Sequence, residues 1–418
     1  MTQQNSSNID TPKFDRADSR VRHDTGLAGA YRGFVDRVRS GDLGMLPVII
    51  GLILISVVFT LLNPVFIKPN NLVNLLFDAA SVGLISLGVI CVLLLGEIDL
   101  SIGSMSGLSS ALIGVLWVNA GFALPIAILA SVLTGVVVGA IYSFLRNRFD
   151  MPSFVATLSG LLALLGMQLY ILGPTGSINL PFTSSLVRFG QIMIMPEWLS
   201  YLAALTPGVL IVLGAIRSNK SRVAANLTST GMSVPLLKAG VLTVCLLFAV
   251  FYLEQGRGVP WMFGVFVLFV VALDYALTRT KWGRSMFAVG GNAEAARRSG
   301  INVQQIRTSA FIVCCTFASL GGVFAAARLA SASQQAGTGD VNLNAIAAAV
   351  IGGTSLFGGR GSAWSALLGV LVIMAISNGL TLLNLSSSLR YMITGAVLAI
   401  AVIVDSLARK SRASHGRA

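Results

Sequence analysis

The chain has 418 residues, of which 55% are hydrophobic and only 11% charged, and its formal net charge is +13. Soluble domains carry roughly 25% charged residues, so this composition excludes an ordinary soluble protein and predicts an all-α, polytopic membrane bundle. The positive charge does not indicate nucleic-acid binding, because Lys and Arg collect on the cytoplasmic side of bacterial membrane proteins.

Residues 1–44 are predicted to form a cytoplasmic tail, partly disordered because its beginning is polar with nearly balanced charges. Further along, four apolar side chains recur at helical spacing beside arginines, a pattern typical of a helix lying on the membrane surface. They are Tyr31, Phe34, Val35 and Val38. A solvated tail is the alternative. The first apolar run begins near Leu46, so no cleavable signal peptide is expected.

Twelve apolar runs follow, and their lengths predict about twelve membrane-spanning helices in a domain over 45–408. A cytoplasmic tail is predicted over 409–418. The run near 342–357 is short, so that span is expected to be tilted, broken or incompletely crossing. The predicted spans lie near 46–66, 72–95, 100–119, 122–145, 153–173, 198–216, 234–253, 259–278, 308–328, 342–357, 362–384 and 388–407.

The basic residues predict which side of the membrane each connection faces. An even number of spans places both tails on one side, and 24 of the 29 Lys and Arg then lie on that side. Because basic residues favour the cytoplasm, both termini are predicted to be cytoplasmic. The linker 217–238 and the loop 279–307 then lie inside, and Arg257 lies outside.

The stretch GEIDLSIGSMSG (96–107) joins the second and third predicted spans. Ionisable residues beside membrane-embedded sequence often mark a transport path, so Glu97, Asp99 and Ser101 are candidates for a gate. Their predicted position near the inner face favours a simpler role, in which Asp99 or Ser101 caps the next helix or forms a turn.

The loop 279–307 contains the signals of a short helix over about 293–299. Asn292 is a candidate N-cap, Glu294 lies in the first turn, and Arg297 and Arg298 lie in the last. Gly300 is placed for the left-handed residue that ends a helix. Such a short helix needs a surface to pack on, which could be the protein with anionic lipid or a cytoplasmic partner.

The stretch IGGTSLFGGRGS (351–362) is rich in glycine but lacks the lysine of the phosphate loop GxxxxGK[ST]. No other segment supplies that motif, so any ATP and Mg used in transport would be bound by another chain. These glycines are instead expected to make a tight turn between closely packed helices. They are Gly352, Gly353, Gly358, Gly359 and Gly361.

Polar residues within the predicted spans could line a path for a polyhydroxylated solute; they are Asn74, Asp78, Gln168, Asn378 and Thr381. Hydrogen bonding between helices is the alternative role. The four cysteines all lie in apolar runs without CxxC spacing, so we interpret them as buried apolar residues and expect no metal site. Both histidines fall in the polar tails.

Four stretches resemble the signature motifs of the ribose/xylose-type permeases, the membrane subunits of bacterial ABC sugar importers. The similarity extends from about Leu46 to Asp405, with the motifs in the same order. The stretches are GEIDLSIGS, GRSMFAVGGNAEAARRSGINV, ARLASASQQAGTG and AIAAAVIGGTSLFGGRGS.

The resemblance implies a permease homodimer in the bacterial inner membrane, surrounded by lipid. An extracytoplasmic binding protein would deliver the sugar, and an ATPase with two fused nucleotide-binding domains would drive transport. The family's coupling loop, which contacts the ATPase, falls on residues 279–307. Its motif positions are Gly290, Gly291, Asn292, Glu294, Ala295, Ala296, Arg297, Arg298, Gly300 and Ile301.

Relatives commonly have ten spans, and an extra pair near 234–278 makes this chain similar to the D-xylose branch, which implies a pentose substrate. Two positions depart from the family pattern. Glu97 replaces a frequent glycine, and Asn342 and Asn344 stand where acids are common. The alternative functions are a proton-coupled sugar transporter of twelve spans, with Asp78 as the titratable group, and a membrane enzyme using Glu97 and Asp99.

Overall fold

The computed structural model describes residues 45–227, 231–386, 388–396, 399 and 403. The predicted surface helix near Tyr31–Val38, both tails and part of the predicted last span lie outside these residues. The backbone at 388–396 is helical. The described chain is almost entirely helical, and nine of its helices are long and apolar enough to cross a membrane.

The first half of the chain contains helices α1 to α6 and one short strand. Helix α3 continues as a π-helix over Gly114–Asn119, and α5 continues as a 3₁₀ turn over Gly173–Thr175. The elements are α1 Leu46–Leu62, α2 Pro69–Leu94, α3 Ile102–Ile113, α4 Leu124–Phe149, α5 Ser153–Leu172, β1 Ser177–Asn179 and α6 Ser185–Gln191.

The second half contains helices α7 to α14 and a second strand. The elements are α7 Glu197–Ala224, α8 Ser233–Glu254, α9 Trp261–Arg279, α10 Lys281–Gly291, α11 Ala293–Arg298, α12 Val303–Leu329, β2 Ser331–Ser333, α13 Val341–Ile351 and α14 Ala363–Leu382. Strands β1 and β2 pair antiparallel, with Ile178 opposite Ala332.

The described chain divides into two compact units. One is the helix pair α7 and α8 within Pro196–Glu254, and the other contains the remaining helices. The extra pair predicted near 234–278 corresponds to α8 and α9. The self-contained pair is instead α7 with α8, and α9 belongs to the larger unit. Within the pair, a Cβ at Gly208 would lie 2.0 Å from Thr243 Oγ1, so the helices approach closely where a side chain is absent.

Helices α2 and α12 form the centre of the larger unit. They pack against each other. In addition, α12 packs against α3 and α4, and α2 packs against α9 and α14. In the most apolar stretch of α2, 83% of the chain is buried. This explains why that helix is apolar on every face. Glycines allow the contact, because a Cβ at Gly88 would lie 2.6 Å from the Cys314 carbonyl oxygen.

Two apolar helices fall below the 18 residues of a full span, α1 with 17 residues and α13 with 11. At 1.5 Å per residue, α13 is about 16 Å long, roughly half of the hydrocarbon thickness. The short helix agrees with the short apolar run near 342–357, and a tilted, broken or incomplete crossing there stays a prediction.

Candidate functional site

The coupling loop folds as two short helices, α10 and α11. The Asn292 side chain accepts a hydrogen bond from the Ala295 N–H at 2.9 Å, which caps α11. Gly300 has φ of +83°, and the Ile301 N–H donates to the Ala296 carbonyl at 3.1 Å. The predicted short helix with its cap and its left-handed terminal glycine is therefore confirmed.

The outward side of the coupling loop is basic. Arg297 and Arg298 have side chains that are 70% and 79% exposed, and both pair with Glu294 one turn earlier. Hydrogen bonds from these two guanidinium groups lower the pKa of Glu294. Lys281 and Arg284 on α10 are also exposed, so four cations and one acid face away from the bundle. This surface could bind an acidic partner.

The coupling loop is joined to the spans through a backbone contact, which we call the glycine contact. Here Gly290, at the end of α10, meets the end of α2 and the glycine-rich turn: a Cβ at Gly290 would lie 1.8 Å from the Leu94 carbonyl oxygen and 2.7 Å from the Gly359 nitrogen. The Gly359 N–H donates to the same Leu94 carbonyl at 2.9 Å. Only glycine permits this approach.

The stretch 351–362 forms the tight turn that the sequence predicts. Gly353, Gly358 and Gly359 have positive φ of +104°, +84° and +73°. The Ser355 N–H donates to the Arg360 carbonyl at 2.9 Å, which closes the turn. The other two predicted glycines contact neighbouring chain, since a Cβ at Gly352 would lie 1.9 Å from the Ser365 carbonyl and one at Gly361 would lie 2.8 Å from Thr354.

Glu97 is held by two arginines from different helices. Its Oε1 lies 3.4 Å from the Arg146 Nε on α4 and 3.4 Å from the Arg307 Nε on α12. Arg146 also pairs with Asp150 at 2.8 Å. The extra charge that Glu97 brings to the family pattern is thus balanced within the chain, and it links the 95–101 connection to both helices.

Asp99 is buried beside α12. Its Oδ1 accepts hydrogen bonds from the Ser101 N–H at 2.8 Å and from the Ser101 hydroxyl at 2.7 Å, and its Oδ2 lies 3.7 and 3.6 Å from the Cys314 and Cys315 thiols. This is a turn, as predicted. The alternative of a helix cap is wrong, because Ser101 at the N-cap of α3 makes no side-chain cap hydrogen bond. Burial raises the pKa of the Asp99 carboxyl.

Asp78 and Asn378 make contacts between helices. The Arg328 Nε donates to the Asp78 carboxylate at 2.7 Å, and Arg328 also lies over the Phe77 ring. Asn378 on α14 exchanges two amide hydrogen bonds with Asn71 on α2, at 2.8 and 3.1 Å. Asn378 therefore has the alternative role, hydrogen bonding between helices, whereas Asp78 remains partly exposed, with 45% of its side chain accessible.

Sequence reasoning about the site missed the stretch between α12 and α13. Residues 331–340 read SASQQAGTGD and form strand β2 followed by turns rather than a helix. The Gln168 side chain on α5 donates to the carbonyls of Ser333 and Ala336, both at 2.9 Å. The signal was available, because ten mostly small and polar residues stand here between two apolar runs, and ARLASASQQAGTG is one of the stretches that resemble the family motifs.

The cysteines are free thiols, and three of the four are buried. Among the residues that the structure describes, no group of three or more His, Cys, Asp and Glu side chains is placed to hold a metal ion.

Comparisons with known proteins point to one kind of protein. A family model described as branched-chain amino acid transport system / permease component matches residues 71–402. The chain is 31% identical to the xylose transport system permease protein XylH of Escherichia coli, over 92% of this chain and 97% of that protein. It is 32% identical to the XylH of Haemophilus influenzae, over 90% and 99% of the two chains.

The chain is also 32% identical to the ribose import permease protein RbsC of Escherichia coli, over 85% of this chain and 91% of that protein. No solved structure matches the chain.

Proposed function

Because the chain belongs to the family of branched-chain amino acid transport system permease components, and its relatives are permeases for xylose and ribose, we infer that it carries a pentose such as D-xylose. It is the membrane-spanning permease subunit of an ATP-driven sugar importer of the inner membrane, and it is not an enzyme. One observation supports xylose: the similarity to XylH spans almost the whole of both chains and includes the helix pair α7–α8.

A permease of this family works with an ATPase and a substrate-binding protein. We propose further that the ATPase carries two fused nucleotide-binding domains, that ATP and Mg are bound there, and that two copies of this chain form the permease. Both termini then face the cytoplasm, as the distribution of basic residues indicates.

Residues 279–307 are the proposed site of ATPase contact. Three observations support this role: an exposed basic surface, a capped short helix α11, and a backbone contact that joins the loop to α2 and to the glycine-rich turn. A partner groove carrying acidic side chains would form charge-assisted hydrogen bonds with Arg297 and Arg298. Movement of the partner would then reach the inner ends of the spans through Gly290.

The proton-coupled alternative rested on Asp78, and that carboxylate pairs with Arg328. The carboxylate is thus engaged in an ion pair between α2 and α12, a role that polar groups within spans commonly have.

Transport assays test the proposal. The chain is reconstituted in proteoliposomes with the ATPase and binding protein encoded beside it, and uptake of radiolabelled D-xylose and D-ribose is measured. We expect D-xylose uptake that requires ATP and is unaffected by an uncoupler. Uptake of D-ribose alone would contradict the choice of sugar, while uptake abolished by the uncoupler but independent of ATP would contradict the transport mechanism.

A further inference from the structure

One crossing of the larger unit is not a continuous helix. Helix α12 ends at Leu329, the chain continues through β2 and the turns that follow it to Asp340, and α13 begins only at Val341. Helix α13 ends at Ile351, just before the glycine-rich turn that meets the inner end of α2 at Leu94. The 11 residues of α13 are too few for a whole crossing, so they cover its inner part, and the non-helical segment 331–340 continues it on the outer side.

Contacts with complete spans indicate that this non-helical segment lies at the depth of the bilayer. A Cβ at Gly337 would lie 1.9 Å from the Gly103 carbonyl oxygen and 2.6 Å from the Gly107 nitrogen, on the first turns of α3. Just before α3, the Leu100 N–H donates to the Thr157 hydroxyl, near the start of α5. The Ala336 carbonyl accepts from the Gln168 side chain, near the other end of the same helix. Gly337 thus lies level with the interior of α5.

The non-helical segment 331–340 is polar, and part of it is exposed. Gln334 and Gln335 are exposed, and Thr338 and Asp340 are half-buried. Irregular backbone and polar side chains do not face lipid inside the hydrocarbon, and they are found where they line a water-filled cavity or are covered by protein. The chain's own helices leave these side chains open, so the surface they form faces either a path or a second protein.

The side of the segment that faces the helices is fixed. Gln168 holds two of its carbonyls, Asn342 accepts a hydrogen bond from the Gly103 N–H, and Asn344 donates to the Asp340 carboxylate at 3.0 Å. Asn344 is 6% exposed, and its side-chain oxygen has no partner among the described residues. Anchoring on one face and exposure on the other are what a binding surface requires.

We propose that residues 334–344 form the sugar-contacting surface of the translocation path. The accessible groups are the amides of Gln334 and Gln335, the Thr338 hydroxyl and the Asp340 carboxylate, which together donate and accept the hydrogen bonds that recognition of a polyhydroxylated solute requires. The break also leaves the first N–H groups of α13 facing the segment, because a helix cannot satisfy them internally. This inference rests on the proposed function for the identity of the solute, but its test does not depend on which sugar is carried.

Thiol accessibility tests whether the segment faces water. Cys245 is the one exposed cysteine among the described residues, so Cys245→Ser serves as the parent. Gln335→Cys and Thr338→Cys are introduced singly, in cells that carry the whole transport system, and treated with an impermeant thiol reagent. Leu133→Cys is the control, because Leu133 is 51% exposed in the middle of α4 and faces lipid.

We expect the two segment variants to react at least about tenfold faster than Leu133→Cys, because a thiol ionises readily in water and poorly in hydrocarbon. We also expect D-xylose, but not sucrose, to slow the reaction. Rates equal to that of the control would overturn the proposal and indicate that lipid or a second permease copy covers the segment. Fast reaction without protection by a transported sugar would contradict sugar contact.

Transport by side-chain variants tests the hydrogen bonds themselves. Gln335→Ala and Thr338→Val should each lower uptake at limiting sugar about fivefold, the effect of losing one net hydrogen bond, while ATPase association is unchanged. Gln255→Ala and Thr206→Val make the same replacements at exposed positions of other segments and should leave uptake unchanged. Normal uptake by both segment variants would contradict the proposal.

Failure of the substrate assignment can be told apart from failure of this inference. If the unmodified transporter imports D-ribose and not D-xylose, the choice of sugar is wrong, and protection by D-ribose then decides the role of the segment. If it imports D-xylose normally while the segment thiols stay unreactive, the function stands and the sugar-contacting surface lies elsewhere.

Discussion

Asp99 shows how a single acidic residue can be built into the inner end of a span. Its described contacts are the backbone and hydroxyl of Ser101 and two thiols of α12, and burial raises its pKa. Burial thus works against the charged form, and the residue serves as a hydrogen-bonded link between the 95–101 connection and α12.

We predict that Asp99→Asn keeps most transport activity, because an amide oxygen accepts the same two hydrogen bonds from Ser101. Asp99→Ala should lower the free energy of unfolding by about 1–3 kcal/mol, because the Ser101 donors lose their buried acceptor. Thermal unfolding of the purified transporter and uptake in proteoliposomes measure the two effects. A stable Asp99→Asn variant without transport would show that the charge itself acts in the path.

The pH dependence of stability has a definite sign at this residue. The folded-state pKa of Asp99 is raised above its ordinary value of 3.8, so its contribution to stability is complete below that value and is lost as the pH rises through the folded-state pKa. The unmodified protein should therefore lose stability with rising pH relative to Asp99→Asn. Parallel curves for the two proteins would contradict this.

Among the elements, α11 was predicted correctly and the glycine contact was not. A helix cap depends on residues three or four positions apart, so Asn292, Glu294 and Gly300 could be recognised in the sequence. The contact joins Leu94, Gly290 and Gly359, which are far apart in the chain, and nothing local indicates that these glycines meet. The short helix α13 was expected from its short apolar run, whereas the course of the non-helical segment 331–340 depends on Gln168 of α5.

Reversing the charge on α11 should disrupt binding of the ATPase. Arg297→Glu with Arg298→Glu removes two exposed donors and repels an acidic groove, so we predict at least about a tenfold loss of uptake and loss of ATPase co-purification. Arg217→Glu with Lys220→Glu is the matched control, because it makes the same charge change at exposed positions of α7. Equal behaviour of both double variants would contradict a specific contact.

Two adjacent glycines in the coupling loop give a sharper comparison. Gly290→Ala places a methyl group against the Leu94 carbonyl, whereas a Cβ at Gly291 has nothing within 4 Å. We predict that Gly290→Ala costs about 1–3 kcal/mol or separates the loop from α2, with loss of coupled transport. Gly291→Ala should behave like the unmodified protein in both uptake and thermal unfolding. Normal uptake by Gly290→Ala would show that the contact is not needed.

At the scale of the whole molecule, composition and apolar runs predicted the fold class, the approximate spans and the shortness of the helix near 342–357. They did not predict which helices pair. The helices α7 and α8 associate mainly through close approach at positions such as Gly208 and Thr243, and this contact between two apolar helices has no periodic pattern that separates it from the other spans.

The proposed orientation can be measured with two single cysteines in a cysteine-free background. Ser218→Cys lies on exposed α7 near the basic linker, and Gln255→Cys lies in the exposed connection before α9. Gln255 is preferable to Gly256, where a Cβ would lie 2.8 Å from the Asn70 side-chain oxygen. We predict that an impermeant thiol reagent added outside labels position 255 and not 218. The reverse pattern would place both termini outside.

The glycine contact is made by backbone atoms, so it contains no rotatable side chain that could absorb a small displacement. A carbonyl and an N–H in direct contact transmit a displacement without deforming, whereas long side chains would change conformation and absorb part of it. A push on the coupling loop would therefore reach α2 and the glycine-rich turn before α14 with almost no lost motion. The displacement of the inner ends of the spans would then be set directly by the displacement of the ATPase.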